Sequence, residues 1–275
     1  MKFRSLGIVA VATLLTGCPR QKDDGLSSAQ AREALEEAAL ASKAEALTSG
    51  AVEISTHFTI GQGVEAAAEE LSAFFEAQLP CAEVVVEQAR LEITYGARPG
   101  SCVYRGQTFS GQSAVTIDRN DAGEVVVEHE WLGLSNGAVM LDGDATVTWN
   151  LEQGTRRVVH DAVWTDVATG KTVQGSGDRT QRLLDGGLAE GIRVDGVRSW
   201  TTPRGEWDLG IDGVEMRWVD PVPQAGSYTL ATPDGKSLSL SFARKDADTI
   251  SVEVASGKHQ FRFDVTALGS IEPKT

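Results

Sequence analysis

The sequence predicts a mainly β protein: a large antiparallel meander sheet with one packed amphipathic helix and an N-terminal helical tether. Three observations predict it. Eight segments after Cys81 alternate apolar and polar residues at the two-residue period of a half-buried strand. They are Val115-Ile117, Val125-Val127, Ala145-Val147-Trp149, Trp207-Leu209-Ile211, Val214-Met216-Trp218, Leu238-Leu240-Phe242, Ile250-Val252-Val254 and Phe261-Phe263-Val265. Turn chemistry recurs between them at hairpin spacing, in Asn120-Asp121-Ala122-Gly123, Ser135-Asn136-Gly137, Asp142-Gly143, Thr169-Gly170-Lys171, Asp212-Gly213, Pro233-Asp234-Gly235 and Ser256-Gly257-Lys258. No helical stretch after Pro80 is long enough for the crossover that a parallel sheet needs, so the strands run antiparallel.

The elements follow in chain order. Pro19 to Gly25 reads as a polar tether, and Ser27 with Gln30 has the spacing of a capping box that opens an alanine-rich helix to about Leu47. Its stripe of Leu35, Ala39, Leu40 and Leu47 is thin, which favours a membrane-proximal spacer over a docked arm. Val52-Ile54-Thr56-Phe58-Ile60 alternates like a strand, and Gly61-Gln62-Gly63 turns the chain into a second helix. There Val64, Ala67, Ala68, Leu71, Phe74, Phe75 and Leu79 form one apolar face, and Pro80 ends it. This helix belongs against the sheet. A seam at Asp185-Gly186-Gly187 is too slight to divide the β region, because hairpin patterning resumes at once. The organisation read from the sequence is a leader over 1–17, a tether and helix over 18–50, and a β-rich domain over 51–275.

Charge and cysteine content restrict the partners and the compartment. Lys and Arg number 25 against 39 Asp and Glu, a formal net charge of −14. Loss of Lys2 and Arg4 with the leader makes the balance still more acidic, which argues against nucleic acid and anionic lipid surfaces as partners. The polar strand positions carry Thr, Ser, Glu, Asp and Arg and read as a solvated outer face. Cys81 and Cys102 form an even pair beyond Cys18, and a disulfide is the default in an oxidising compartment. A straight strand from Ala82 to Tyr95 would hold the two sulfurs far apart, so the chain must fold back near Glu87-Gln88. Two free thiols or a metal pair are the alternatives, but a lone pair without a nearby His offers too few ligands for structural zinc.

Several strings mimic active sites. Gly133-Leu134-Ser135-Asn136-Gly137 matches a nucleophile elbow, yet strand-like residues flank it on both sides and Asn136-Gly137 is a hairpin turn. Gly170-Lys171-Thr172 lacks the upstream glycine of a phosphate loop, where Thr165 stands instead. Asp118 to Gly123 begins like a calcium loop but has His129 at the twelfth position. No nucleophile with a base, metal set or cofactor loop can be assembled, and the reading is no enzyme, no cofactor and no metal.

The histidines carry more information. His129 shares the parity of Val125, Val127 and Trp131, and His160 that of Val158, Ala162 and Trp164. His259 shares that of Phe261 and Phe263, and the plain reading is three neutral histidines at a core margin. A sharper one is that a curved sheet gathers His129, Trp131, His160 and Trp164 around a pocket for an apolar or amphipathic ligand.

The leader carries the address. Lys2 and Arg4 precede an apolar stretch from Leu6 to Leu15, the length of a signal h-region and too short to span a bilayer. It ends in Leu15-Thr16-Gly17-Cys18, which resembles the lipobox of bacterial lipoproteins. That resemblance implies cleavage before Cys18 and acylation of Cys18, and with Pro19 following it favours outer-membrane delivery. Gly100-Ser101-Cys102, Arg105-Gly106, Ser110-Gly111 and Ile117, with Cys81 upstream, resemble a pattern in lipoproteins of gliding and predatory proteobacteria, as does Gly205-Glu206-Trp207 through Gly226. No activity comes with that likeness. A looser similarity of architecture is to periplasmic lipoprotein carriers, in which a curved antiparallel sheet wraps apolar ligands beside a helix. The functional expectation is a non-catalytic structural or interaction module of the envelope, held to the membrane by the lipid on Cys18. The alternative is a carrier or sensor of a lipid-like or glycan ligand.

Overall fold

The computed structural model describes residues 25–56, 64–104, 106–150, 152–185, 191–216, 223, 225–246, 249–266 and 271–273. The leader with Cys18, the Phe58–Gly63 segment, Gly186-Gly187 and Trp218 lie outside the described residues. Among the described residues, fourteen strands form one antiparallel sheet in which all neighbours but one are consecutive in sequence. From one edge they are β1 (Glu83–Glu87), β2 (Arg90–Tyr95), β5 (Ser110–Arg119), β6 (Val125–Ser135), β7 (Val139–Asn150), β8 (Thr155–Asp166) and β9 (Thr172–Leu183). The order continues with β10 (Ile192–Thr202), β11 (Gly205–Met216), β12 (Ala225–Ala231), β13 (Ser237–Arg244), β14 (Thr249–Ser256), β15 (His259–Thr266) and β16 (Ile271–Pro273). The two-residue strands β3 (Val103–Tyr104) and β4 (Gln107–Thr108) form a separate hairpin in the β2–β5 connection. The predicted meander is the observed topology.

Alternation puts one face of each strand inside. Val125, Val127, His129 and Trp131 of β6 are buried while Glu128, Glu130 and Leu132 are exposed. The turns have the predicted chemistry at Asn136-Gly137, where the Asn136 Oδ1 accepts from the amides of Ala138 and Val139 at 3.0 and 2.9 Å. Two predicted turns are not turns. Asp142-Gly143 lies inside β7, and Asp212-Gly213 sits in an irregularity within β11, whose ladder to β12 shifts register between Asp212 and Glu215. In each case an aspartate carboxylate takes up a backbone amide freed by an irregular ladder: Asp142 accepts from Gly133, and Asp195 from Gly213, both at 2.7 Å. The Asp-Gly signal was that of a bulge, which bends a strand without reversing it.

The first helix departs furthest from expectation. α1 (Ser28–Ser55) begins at the predicted Ser27 cap, with both halves of the capping box made, but it neither stops at Leu47 nor stands off the domain. It lies on the inner face of the sheet, and the boundary drawn at residue 50 falls within it. Ala31, Ala34, Ala41, Ala44, Leu47, Thr48, Ala51, Val52 and Ser55 are buried, a spacing of three and four residues that makes a continuous helical stripe. Alanine hides little apolar surface, yet it suits a close approach to a sheet floor of Gly143, Ala145, Ala162, Gly175 and Gly177. The same stripe accounts for the strand predicted over Val52–Ile60. Val52 and Ile54 are buried as helix residues, and the Ser55 and Thr56 hydroxyls donate to the carbonyls of Ala51 and Val52 at 2.7 and 2.8 Å. At roughly 1.5 Å per residue against 3.3 Å for a strand, a helix of 28 residues matches the length of the 12-residue central strands.

α2 (Val64–Gln78) caps one end of the sheet, packing on β1, β2 and β5 through Ala67, Ala68, Leu71 and Phe75. The chain then reverses at Gln88, which has a φ of 57°, as the cysteine spacing required. That reversal brings Cys81 and Cys102 to a Cα separation of 5.3 Å, and the two are joined by a disulfide. No described helix is long and apolar enough to cross a membrane. Because the bond closes a loop of about 21 residues, reduction or the double change Cys81→Ala and Cys102→Ala should cost about 3 kcal/mol and lower the melting temperature by roughly 6–12 °C. Thermal melts with and without reductant check this.

Candidate functional site

The inner face of β6 to β11 is an ordered grid in which register assigns each residue to a transverse row. One row runs Trp131, Gly143, Ala162, Gly175, Trp200, Trp207. The next runs His129, Ala145, His160, Gly177, Arg198, and a third Val127, Val147, Val158, Arg179, Gly196. The fourth carries Trp149, Arg156, Gln181 and Val194. Arg156, Arg179 and Arg198 thus step diagonally across three neighbouring strands, one per row. All three are buried, at 8, 3 and 7 % exposure, where the sequence reading had put arginine on the solvated face. Parity carried the signal, since Arg156 shares it with Val158 and His160, and Arg198 with Trp200.

Helix α1 supplies the counter-charges. Glu53 accepts from Arg156 Nη2 at 2.7 Å, and Arg156 also donates to Gln181 and Thr56 at 2.7 and 3.2 Å. Eight residues earlier, Glu45 bonds Arg179 and Ser49 and lies 3.6 Å from Arg198 Nη1 and 3.7 Å from His160 Nε2. Eight earlier again, Glu37 pairs with Lys171 of the β8–β9 turn at 2.6 Å. Glu33 reaches Arg204 in the β10–β11 turn, and Lys236 bonds Gln30 and the Gly25 carbonyl, both at 3.2 Å. These contacts fix the helix along the strands and in rotation.

Burial alone would raise the Glu45 pKa, but the charges of Arg179, His160 and Arg198 and the Ser49 hydroxyl together hold it below the usual carboxylate value. Burial pulls Arg179 down and pushes the nearby Tyr228 phenol up. His160 is lowered to about 4, first by burial and then by the arginines, with Glu45 opposing. His129 is also lowered to about 4, again by burial first, and the backbone of Ala145 and Val127 offsets this only in part.

The four residues singled out in the sequence share this face. His129 and Trp131 have ring centroids 6.1 Å apart, as do His160 and Trp164, and all four are at most 6 % exposed. They form two pairs with β7 between them, not a ring around a ligand-sized space. The space beneath α1 at Trp164, Trp200, Ala41, Ala44 and Glu37 is a cavity of about 10 Å³, enough for one water molecule. Yet the packing leaves polar atoms unmatched. Among the described residues no hydrogen-bond partner exists for both His129 ring nitrogens, His160 Nε2, Arg179 Nε, Arg198 Nε, or the indole nitrogens of Trp131, Trp164 and Trp200. Leaving such a group buried costs about 1–3 kcal/mol each, so the inner face is polar beyond what a plain core needs.

The opposite surface of the same strands holds an open groove of about 570 Å³, lined by Asp144, Asp161, Asp178 and Asp208 with Ser176 and Ser199. Arg157 neutralises Asp178 through two hydrogen bonds of 2.8 and 2.5 Å. Among the described residues no group of three His, Cys, Asp or Glu is placed to hold a metal ion. The chain matches no family model, no curated protein and no solved structure.

Glu45→Gln would leave Arg179 and Arg198 without their shared carboxylate, and we expect it to cost about 3–5 kcal/mol. The joint change Glu45→Leu, Arg179→Met, Arg198→Met should recover most of that loss in urea unfolding. The histidines set a second expectation. With folded values near 4 against roughly 6.5 unfolded, the unfolded chain takes up protons first on acidification. Their stabilising contribution is therefore whole above about pH 6.5 and lost as pH falls towards 4. Urea midpoints measured across that window should fall less steeply for His129→Phe than for the natural chain.

Proposed function

We propose that this chain is a lipid-anchored protein of the outer membrane whose β domain is a non-catalytic structural or interaction module of the cell envelope. The observation that carries the reading is the filled interior. α1 occupies the inner face along the length of the central strands and leaves a cavity of about 10 Å³, so the sheet and helix present a rigid body with an acidic exterior. The basic leader, the lipobox ending in Cys18 and the Cys81–Cys102 bond are consistent with one another, since a stable structural disulfide belongs to an oxidising compartment. Two or more acyl chains on Cys18 would give persistent anchoring. The likeness of the cysteine and glycine pattern to lipoproteins of gliding and predatory proteobacteria agrees with that address. The second reading, carriage of an amphipathic ligand, is favoured by one observation: the unmatched donors of the inner face.

Labelling cells with a clickable palmitate tests the anchor. The natural chain should be labelled and sediment with outer membranes, and Cys18→Ser should be unlabelled and released with the soluble envelope fraction. An unmodified Cys18 in the natural chain would contradict the reading.

A further inference from the structure

We propose that the arginine diagonal under α1 is a binding site for an anionic amphiphile, a carboxylate or phosphate head with an apolar tail, and that α1 seats its own glutamates there in the ligand's place. This deepens the carrier reading and rests on it.

The charge count is the first argument. Arg179 and Arg198 share a single carboxylate, that of Glu45, and the neighbouring His160 is neutral near pH 7. The cluster is one anion short around two arginines that are only 3 and 7 % exposed. The second argument is the state of its donors. Arg179 Nε, Arg198 Nε and His160 Nε2 are buried without hydrogen bonds, while Arg198 meets Glu45 only at 3.6 Å. Glu45 turns one oxygen to Arg179 and leaves the other 3.6 Å from Arg198 Nη1 and without a hydrogen bond, so neither guanidinium has a two-point contact with it. A free head group entering the site is not so constrained, and planar two-point contact is what a guanidinium offers carboxylates and phosphates.

The third argument is position. Arg198 and Trp200 lie two residues apart on the same face of β10, and Trp200 stacks on Trp207 with centroids 6.1 Å apart. Trp164 lies four residues beyond His160 on β8, next to the same rows. A head held by Arg179 and Arg198 would therefore lay its tail along the tryptophan row that α1 now covers. The cover is a light one. Between Ala31 and Ala51 the buried apolar side chains of α1 are mostly alanines, which hide little apolar surface per turn, and the glutamate contacts that set its position are the ones an anionic head would replace.

Tryptophan quenching by brominated chains tests this directly. The chain from residue 19 onward, which contains every described element, is titrated with 11-bromoundecanoate, 11-bromoundecanol and inorganic phosphate. We expect saturable quenching by the acid and at least tenfold weaker quenching by the alcohol. Glu45→Gln should bind the acid at least tenfold more tightly than the natural chain, and its melting temperature should rise more on adding it. Arg198→Gln should bind at least tenfold more weakly. Equal quenching by acid and alcohol in the natural chain would overturn the proposal whatever the variants do. Phosphate binding Glu45→Gln as tightly as the acid does would assign the site to a free anion and overturn the amphiphile. Membrane anchoring through Cys18 is read separately by palmitate labelling, so failure of either experiment leaves the other result intact.

Discussion

The contact between the glutamates of α1 and the arginines of β8, β9 and β10 is the constraint on which the rest of the structure depends. A wide open antiparallel sheet has two faces, and a chain of this size cannot leave both in water when one is lined with Trp, Val, Leu and Phe. The solution is to lay a helix of matching length on the apolar face. A helix on a sheet can slide and roll, however, unless something other than apolar contact fixes it. Glu37, Glu45 and Glu53 do so by meeting cations at three points along the strands. Buried ion pairs add little net stability because desolvation offsets attraction, and their effect here is to select one position of the helix over its alternatives.

The sheet is adapted to that seat. Gly143, Gly175 and Gly177 stand where a side chain would collide: a Cβ on Gly143 would meet the Asp161 carbonyl and Ala162, one on Gly175 the Trp164 ring, and one on Gly177 the His160 ring. The glycines therefore give the large aromatic residues room to lie flat on the floor under an alanine-rich helix. The same arrangement keeps His129 and His160 neutral and leaves several indole N–H groups without partners among the described residues. The buried arginines and the aspartates of the outer groove lie on opposite faces and are kept apart by the sheet itself.

Much of this was legible in the sequence, and what was not has physical reasons. Strand parity was enough to turn His129, Trp131, His160 and Trp164 inward, and the cysteine spacing was enough to demand a reversal at Gln88. Alternation says which residues share a face but not what covers it. Arg156, Arg179 and Arg198 have inward parity too, but parity alone does not bury an arginine, which is a surface residue unless a partner waits for it. The partner lies more than a hundred residues away in sequence, on a helix whose alanine stripe looked too thin to dock. Asp-Gly pairs misled for a similar reason: Asp142-Gly143 and Asp212-Gly213 have turn chemistry, but the neighbouring ladder uses it for bulges. In each case the missing information was long-range.

Hydrogen–deuterium exchange of α1, followed by mass spectrometry on the unliganded chain, tests the seating of the helix most directly. If the glutamate contacts lock α1 onto the sheet, amides of residues 28–55 are protected by several orders of magnitude over an unstructured peptide, most strongly around Glu45. Exchange of the whole helix at the rate of a free peptide, with β8 to β10 still protected, would contradict the account.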